Sequence, residues 1–391
     1  MSYKAVFDQL FINEGVADQK GFQQNLSQKL FSFTDEDVEK ALLSAQGNLN
    51  ALQVLLSPAA EKYLEEMAQI ASSLTRQRFG ANIHLFVPLY LSNLCANECD
   101  YCGFSMSNKI KRKVLNSSEI SAEINVLKTK GFDSVLLVTG EHKTKVGIDY
   151  FEQVLPQIKK QFSYLAIEVQ PMEQSDYRRL ADLGLDAVMV YQETYCKQTY
   201  GEHHLRGNKQ DFYYRLETPE RIARAGVDKI GLGILLGLTD WRIDAWLMGH
   251  HLAYLRQHHW RSRYSLSVPR LRPCTGGVEP KSPVNDRQLL QMICAFRLFN
   301  PELEISLSTR ESPTFRNGVF PLGITNISAE SSTEPGGYAK EDQATNKPHL
   351  AQFETSDNRS LLEVSQSLSA LNLQPVLKDW QREWSMQNRL F

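Results

Sequence analysis

Cys95-Ala-Asn-Glu-Cys99-Asp-Tyr-Cys102 comes directly after an apolar run from Ile83 to Leu94, and its spacing is C-x3-C-x2-C. Three thiolates packed this tightly are soft ligands of the kind that hold iron, zinc or a metal–sulfur cluster. A four-iron cluster takes four ligands, so three cysteines leave one iron with an open position. Structural zinc more commonly takes four ligands from two separated pairs, and no fourth Cys or His stands near these three in the sequence. The stretch therefore reads as a cluster site on a loop at the end of a buried strand.

Working outward, the 391 residues suit one large barrel with a smaller extension, and 42% apolar with 23% charged residues is an ordinary globular composition. A net charge of −2 supplies no basic field for nucleic acid, so none is expected as a partner. Met1 to Lys20 lacks the apolar core of a signal peptide, and no apolar run reaches the roughly 18 residues that cross a bilayer. The expectation is a cytoplasmic protein without a membrane partner. The chain has six cysteines; Cys196, Cys274 and Cys294 are isolated and read as small buried hydrophobes.

Residues 1–80 read as a helical extension, with Asp35–Gln46 and Ala59–Phe79 the clearest segments; Tyr63, Met67, Ile70 and Leu74 share one face of the second. From residue 81 short apolar runs alternate with amphipathic stretches. Candidate strands are Ile83–Tyr90, Ser134–Val138, Tyr164–Val169, Ala187–Tyr191, Lys229–Leu235, Tyr264–Val268, Glu304–Ser308 and Val319–Thr325. A helix with Ile120, Ile124 and Leu127 on one face separates the first two, with Ser117 or Ser118 as its N-cap. Eight such repeats predict an α/β fold, a (β/α)8 TIM-type barrel over 81–328, with its site at the carboxyl ends of the strands. The cysteine run lies at that end. Residues 329–391 form a C-terminal extension with a helix over 360–371, and Pro335-Gly-Gly-Tyr338 is a turn that either crosses the barrel mouth or leads away from it.

Through Cys95, Cys99, Tyr101 and Cys102 the sequence resembles the radical S-adenosylmethionine enzymes. The resemblance implies a 4Fe-4S cluster on the three cysteines, with S-adenosylmethionine chelating the fourth iron and yielding a 5′-deoxyadenosyl radical on reduction. It also implies contacts at successive strand ends. Val138-Thr139-Gly140-Glu141-His142 resembles the family's Gly-Gly-Glu motif, with Thr139 in place of the first glycine, and implies backbone contacts to the methionine ammonium. Glu193 matches the ribose ligand, whose carboxylate can accept from two hydroxyls, and Arg215 the ligand of the methionine carboxylate, which a guanidinium binds bidentately. Gly231-Leu-Gly233-Ile-Leu235-Leu-Gly237 resembles the backbone along adenine, with Asp240 in place of the usual later glutamate.

Ser57–Ala60, Leu74–Phe79, Pro88–Asn108, Leu137–His142, Glu168–Pro171, Arg270–Cys274 and Ser308–Ser312 narrow the resemblance to the tyrosine lyases of thiamine biosynthesis, the 2-iminoacetate synthase family, over about residues 57–340. That family breaks the Cα–Cβ bond of L-tyrosine, giving 2-iminoacetate and p-cresol, and passes the iminoacetate to a thiazole synthase partner. The resemblance implies that Arg310 holds the substrate carboxylate, with Ser308, Thr309 and Ser312 beside it. A structural ion pair between Arg310 and Glu311 is the competing reading. Tyr90, Glu168, Gln170 and Arg272 are further candidates for the pocket wall, with Ser328 after the last strand. The basic run Lys109-Ile-Lys-Arg-Lys113 suits an acidic flavodoxin- or ferredoxin-type electron donor, or is a solvated loop. Rival readings are the hydrogenase-maturation tyrosine lyase, whose second cluster finds no cysteine here after Cys294, another radical enzyme, and a non-catalytic iron–sulfur scaffold.

Overall fold

The structure, a computed structural model, describes residues 2–13, 19–339 and 350–378. Eight parallel strands close into a barrel: β1 (Asn82–Ser92), β2 (Ser134–Thr139), β3 (Tyr164–Glu168), β4 (Ala187–Met189), β5 (Lys229–Gly233), β6 (Arg263–Ser267), β7 (Glu304–Leu307) and β8 (Asn326–Ser328). Each pairs with the next in chain order. The barrel shuts where β8 meets β1, with His84 opposite Asn326, Leu85 opposite Ile327 and Phe86 opposite Ser328. Parallel neighbours need crossover connections, and helices fill them all; Trp241–His258 and Asp286–Phe299 are the longest. Most of the strands are apolar runs buried on both faces because helices cover the outside and side chains fill the inside.

The amino end of the barrel is closed by a polar plug. Glu304 on β7 meets Lys229 of β5 at 2.6 Å and Asn326 of β8 at 2.9 Å. Burial would push this carboxyl up, but Lys229 and Arg263 hold it down to about 2. The opposite, carboxyl end holds a cavity instead of a plug, and it is the end the cysteines occupy.

The helical extension docks on the outside. Tyr3, fully buried, stacks on His251 with ring centroids 3.7 Å apart, and its amide donates to the buried Glu220 at 2.9 Å. Helix Leu64–Phe79 packs along Asp286–Phe299, so extension and barrel share one apolar core. The C-terminal segment returns twice: β9 (Gln374–Val376) pairs with β1, and residues 350–359 lie across the carboxyl mouth. Ser360 caps helix Leu361–Ala370.

Several expectations need correction. The eighth strand is not Val319–Thr325: Ser312 Oγ accepts from Phe315 N with Pro313 at the first helical position, so Pro313–Val319 is helix and the strand forms later, at the buried Asn326–Ser328. The cap of helix Ser117–Thr129 is Asn116 rather than Ser117 or Ser118, in a capping box with Glu119. Ala59–Phe79 is split, Pro58 starting a 3-10 turn to Tyr63 before the helix proper. Gln46 lies beyond helix Asp35–Ser44, which is succeeded by a second short helix, Leu49–Leu55. Pro335–Tyr338 does not cross the mouth: Tyr338 donates its hydroxyl to Pro88 O at 2.8 Å and its amide to Glu123 at 3.1 Å, on the barrel's flank. Residues 340–349 and 379–391 of the expected extension lie outside the described residues.

The mouth-crossing segment hangs on Asp357, buried between Arg316 and Arg359 and 2.6 Å from the latter. Removing this carboxylate leaves the fully buried Arg316 uncompensated. Asp357→Ala is expected to lower stability to urea by about 3–5 kcal/mol, while Asp357→Asn, which keeps an acceptor, loses less; equilibrium unfolding measures both.

Candidate active site

The β1–β2 pairing shifts register between Tyr90 and Ser92, and an irregularity of this kind bends a strand and re-aims the chain beyond it. Here that chain is the cysteine loop. Arg112 holds it in shape by donating to four backbone carbonyls, Asn93 (2.8 Å), Phe104 (2.8 Å), Ser105 (2.6 Å) and Asn108 (3.2 Å). Cys99 N donates to Ser105 Oγ at 3.2 Å, Gly103 N donates to Gln352 O at 3.1 Å, and Glu98–Cys99 pairs antiparallel with His204–Arg206. Cys95, Cys99 and Cys102 are free thiols on one wall of a single cavity in the barrel mouth.

The donor set fits a cluster. Among the described residues no three His, Cys, Asp or Glu side chains converge as ligands of one metal ion. A cluster asks less of them, since each thiolate binds a different iron. Burial, then the charge of Glu141, pushes the Cys95 thiol up to about 11, and burial raises Cys99 and Cys102 as well. Such thiols ionise when iron displaces their protons.

Next to the thiols stands a wall of paired charges. Gly140, after β2, passes so close to the loop that a Cβ there would lie 2.4 Å from Leu94 O, so only glycine fits. Glu141 accepts from Asn97 Nδ2 at 2.8 Å and pairs with Arg215 Nη2. Burial would raise Glu141, but Arg215 and Lys209 hold it low. Arg215 is buried, donates to Tyr191 O at 3.2 Å, and keeps Nε without a partner among the described residues, as does Thr139 Oγ1. Glu193 has a left-handed φ of 69°, uncommon for a residue with a Cβ, and its carboxylate lies 2.7 Å from Lys209 Nζ. Its carbonyl accepts from Leu235 N at 2.8 Å.

The loop after β7 brings in a charge with no ion-pair partner among the described residues. Arg310 stacks on Phe353, 3.4 Å from the ring centre, and has no carboxylate partner among the described residues. Glu311 is taken by Arg270 and by Arg272, the latter at 3.2 Å, so the expected alternative of an Arg310–Glu311 pair is not realised. Burial pushes Glu168 up to about 7, against the pull of Arg310. Tyr90 donates its hydroxyl to Gln352 Oε1 at 2.8 Å, and Ser308, Thr309 and Ser328 line the same cavity. A guanidinium and a raised carboxyl lining one cavity suit the carboxylate and ammonium of an amino acid.

Of the expected site residues, Tyr90, Thr139, Gly140, Glu141, Glu168, Glu193, Arg215, Leu235, Ser308, Arg310 and the three cysteines line this cavity. Arg272 does not, because its guanidinium turns to Glu311. Gly233 does not either: it lies behind Tyr191, whose ring would be 2.5 Å from a Cβ, so glycine there makes room for a tyrosine that does face the cavity. Asp240 caps helix Trp241–His258, Ser312 caps Pro313–Val319, and Gln170 donates to Val146 O. Sequence reasoning missed Asn97, inside the cysteine motif itself, and Lys209, Gln352 and Phe353, which reach the cavity from distant segments. It also missed that Cys274, only half-buried, comes to the cysteine loop, donating to Tyr101 O at 3.2 Å.

Known proteins resemble this chain in sequence and in fold. The Radical SAM superfamily model matches residues 89–247, and the Biotin and Thiamin Synthesis associated domain matches 267–374. A 2-iminoacetate synthase of Escherichia coli (strain K12) is 58% identical over 348 residues, 89% of this chain and 91% of that protein. A crystal structure of HydG, a maturase of the FeFe-hydrogenase, superposes with a TM-score of 0.85 at 31% identity, covering 92% of this chain and 80% of that one. HydG from Carboxydothermus hydrogenoformans gives 0.80 at 27% identity, covering 96% and 83%.

The raised Glu168 carries a sign. Its folded value, about 7, lies above the ordinary carboxyl value of 4.5, so the unfolded chain releases its proton first as pH rises. Stability of the metal-free protein relative to Glu168→Gln is expected to fall between those two values and to level off above pH 7. Denaturant titrations of both proteins across that range measure it; a difference independent of pH refutes it.

Proposed function

The chain belongs to the 2-iminoacetate synthase family of radical S-adenosylmethionine enzymes, and on that premise we propose that it cleaves the Cα–Cβ bond of L-tyrosine to 2-iminoacetate and p-cresol, supplying the thiazole moiety in thiamine biosynthesis. The observation that carries the reading is one cavity lined both by three free thiols and by Arg310, which has no carboxylate partner among the described residues. When bound, the cluster and S-adenosylmethionine supply one electron and a 5′-deoxyadenosyl radical.

The chain's own residues divide the remaining work. Cys95, Cys99 and Cys102 hold three irons of a 4Fe-4S cluster. Thr139, Gly140 and Glu141 bind the methionine ammonium, Arg215 its carboxylate, and Glu193 the ribose diol. Leu235 offers apolar surface to the adenine. Arg310 anchors the tyrosine carboxylate, aided by Ser308. An ammonium beside Glu168 favours the ionised carboxylate, which then takes a proton from the amino group, leaving a neutral amine whose N–H can be attacked. Tyr90, Gln352 and Phe353 keep water out, which a radical step requires.

No helix among the described residues is long and apolar enough to cross a membrane. A thiazole synthase is the proposed receiver of the iminoacetate, and a small acidic flavodoxin or ferredoxin the proposed electron donor. The basic run needs reapportioning for that docking: Arg112 is tied into the cysteine loop and Lys113 pairs with Glu119 at 3.2 Å, so the exposed Lys109 and Lys111 remain as its contacts.

Anaerobic reconstitution, then dithionite, S-adenosylmethionine and tyrosine, should give p-cresol and glyoxylate, the hydrolysis product of 2-iminoacetate. Deoxyadenosine without p-cresol would sink the substrate assignment. Arg310→Met is expected to lower kcat/KM for tyrosine roughly 100-fold, the loss of a charge-assisted anchor, without lowering iron content. Lys109→Glu with Lys111→Glu should slow reduction by flavodoxin at low salt and make little difference at high salt. Equal rates at both ionic strengths would exclude that surface.

A further inference from the structure

The stretch from Cys196 to Asp211 carries no motif, yet it binds the cysteine loop to the wall of paired charges. His204 pairs with Cys99 in the short ribbon, and Asp100 N donates to His203 O at 3.3 Å. Tyr200 O takes the Nδ1 proton of His204 at 2.6 Å, which leaves Nε2 to accept from Tyr101 OH at 2.7 Å. Gly207 then turns the chain with a φ of 87° directly over Asn97, where a Cβ would lie 2.3 Å from Oδ1. Two residues on, Lys209 N donates to that same Oδ1 at 3.1 Å.

The side chain of Lys209 enters the cavity and meets Glu193 Oε1 at 2.7 Å, lysine and glutamate being 11% and 14% exposed. Glu193 Oε2 has no hydrogen-bond partner among the described residues. The glutamate backbone is pinned in its left-handed conformation by its bridge to Ile234, so its carboxylate can swing only about its own side-chain torsions. A buried ammonium on one oxygen removes that remaining freedom.

We propose that Lys209 is a positioning residue for S-adenosylmethionine: it fixes Glu193 Oε1 so that the other oxygen faces the ribose hydroxyls, and through Asn97 it ties that carboxylate to the cysteine loop. This rests on the reading of Glu193 as the ribose ligand. Lys209 acts through Glu193 and not by its own contact with the nucleoside.

The test is calorimetric titration of S-adenosylmethionine into the reconstituted, unreduced holoenzyme, where no turnover occurs. Lys209→Met is expected to raise Kd about 10-fold, the order of one charge-assisted hydrogen bond, at unchanged iron and sulfide content, and Lys209→Arg to restore most of it. In a Glu193→Gln background the same Lys209→Met change should add less than about 2-fold, because the group it orients is gone. Wild-type affinity in Lys209→Met, or an effect that multiplies in full on Glu193→Gln, overturns the proposal while leaving the ribose reading intact. An unchanged Kd in Glu193→Gln alone overturns both. Should Lys209→Met lose iron, Lys209→Gln takes its place in the same cycle.

Discussion

One carboxylate joins the two halves of the cavity. Glu141 takes Asn97 of the cysteine loop on one oxygen and Arg215 on the other, and both partners are themselves tied elsewhere, Asn97 to Lys209 and Arg215 to Tyr191. A buried ionised carboxylate is tolerable only with such partners. Remove it and the thiol loop and the strand ends lose their common point. The orientation of the loop therefore depends also on residues after β2 and β4 and on the helix Phe212–Leu216.

The mouth is closed by chain from the far end of the sequence. Gln352 accepts from Tyr90 and its carbonyl accepts from the cysteine loop at Gly103, while Phe353 covers Arg310. The same segment is tied by backbone bonds to Thr333, Pro273 and Thr309, after β8, β6 and β7. A cover fixed at this many points to three strand ends is part of the pocket's wall, and Asp357, outside the cavity, is buried where it anchors that cover.

Much of this was legible from the sequence. Seven of the eight strands announce themselves as short apolar runs, because a parallel barrel buries them on both faces. The eighth did not, since Asn326-Ile-Ser328 is short and two-thirds polar, and only its ladder with β1 marks it as a strand. The cysteines, Glu141, Glu193, Arg215 and Arg310 were readable because their chemistry sits in tight local motifs at strand ends. Lys209, Gln352 and Phe353 were not, because each reaches the cavity through a turn or a return of the chain that leaves no periodicity. Arg272 and Gly233 show the reverse failure. Both stand at the right end of the barrel, but a strand end fixes only the Cα, and Glu311 and Tyr191 decide where the side chain or its absence counts.

The charges of the cavity are settled in two ways. Glu141 already has Arg215 and Glu193 already has Lys209, so these pairs keep their geometry before any ligand arrives and little reorganisation accompanies binding. Elsewhere in the cavity Arg310 lies on an aromatic face and burial pushes Glu168 up to about 7, an arrangement that an incoming carboxylate and ammonium would complete. Under the proposed reading, substrate therefore supplies the counter-charges that these two groups lack. An analogue missing either charge leaves a buried group unpaired, and that penalty discriminates more sharply than the loss of apolar contact would.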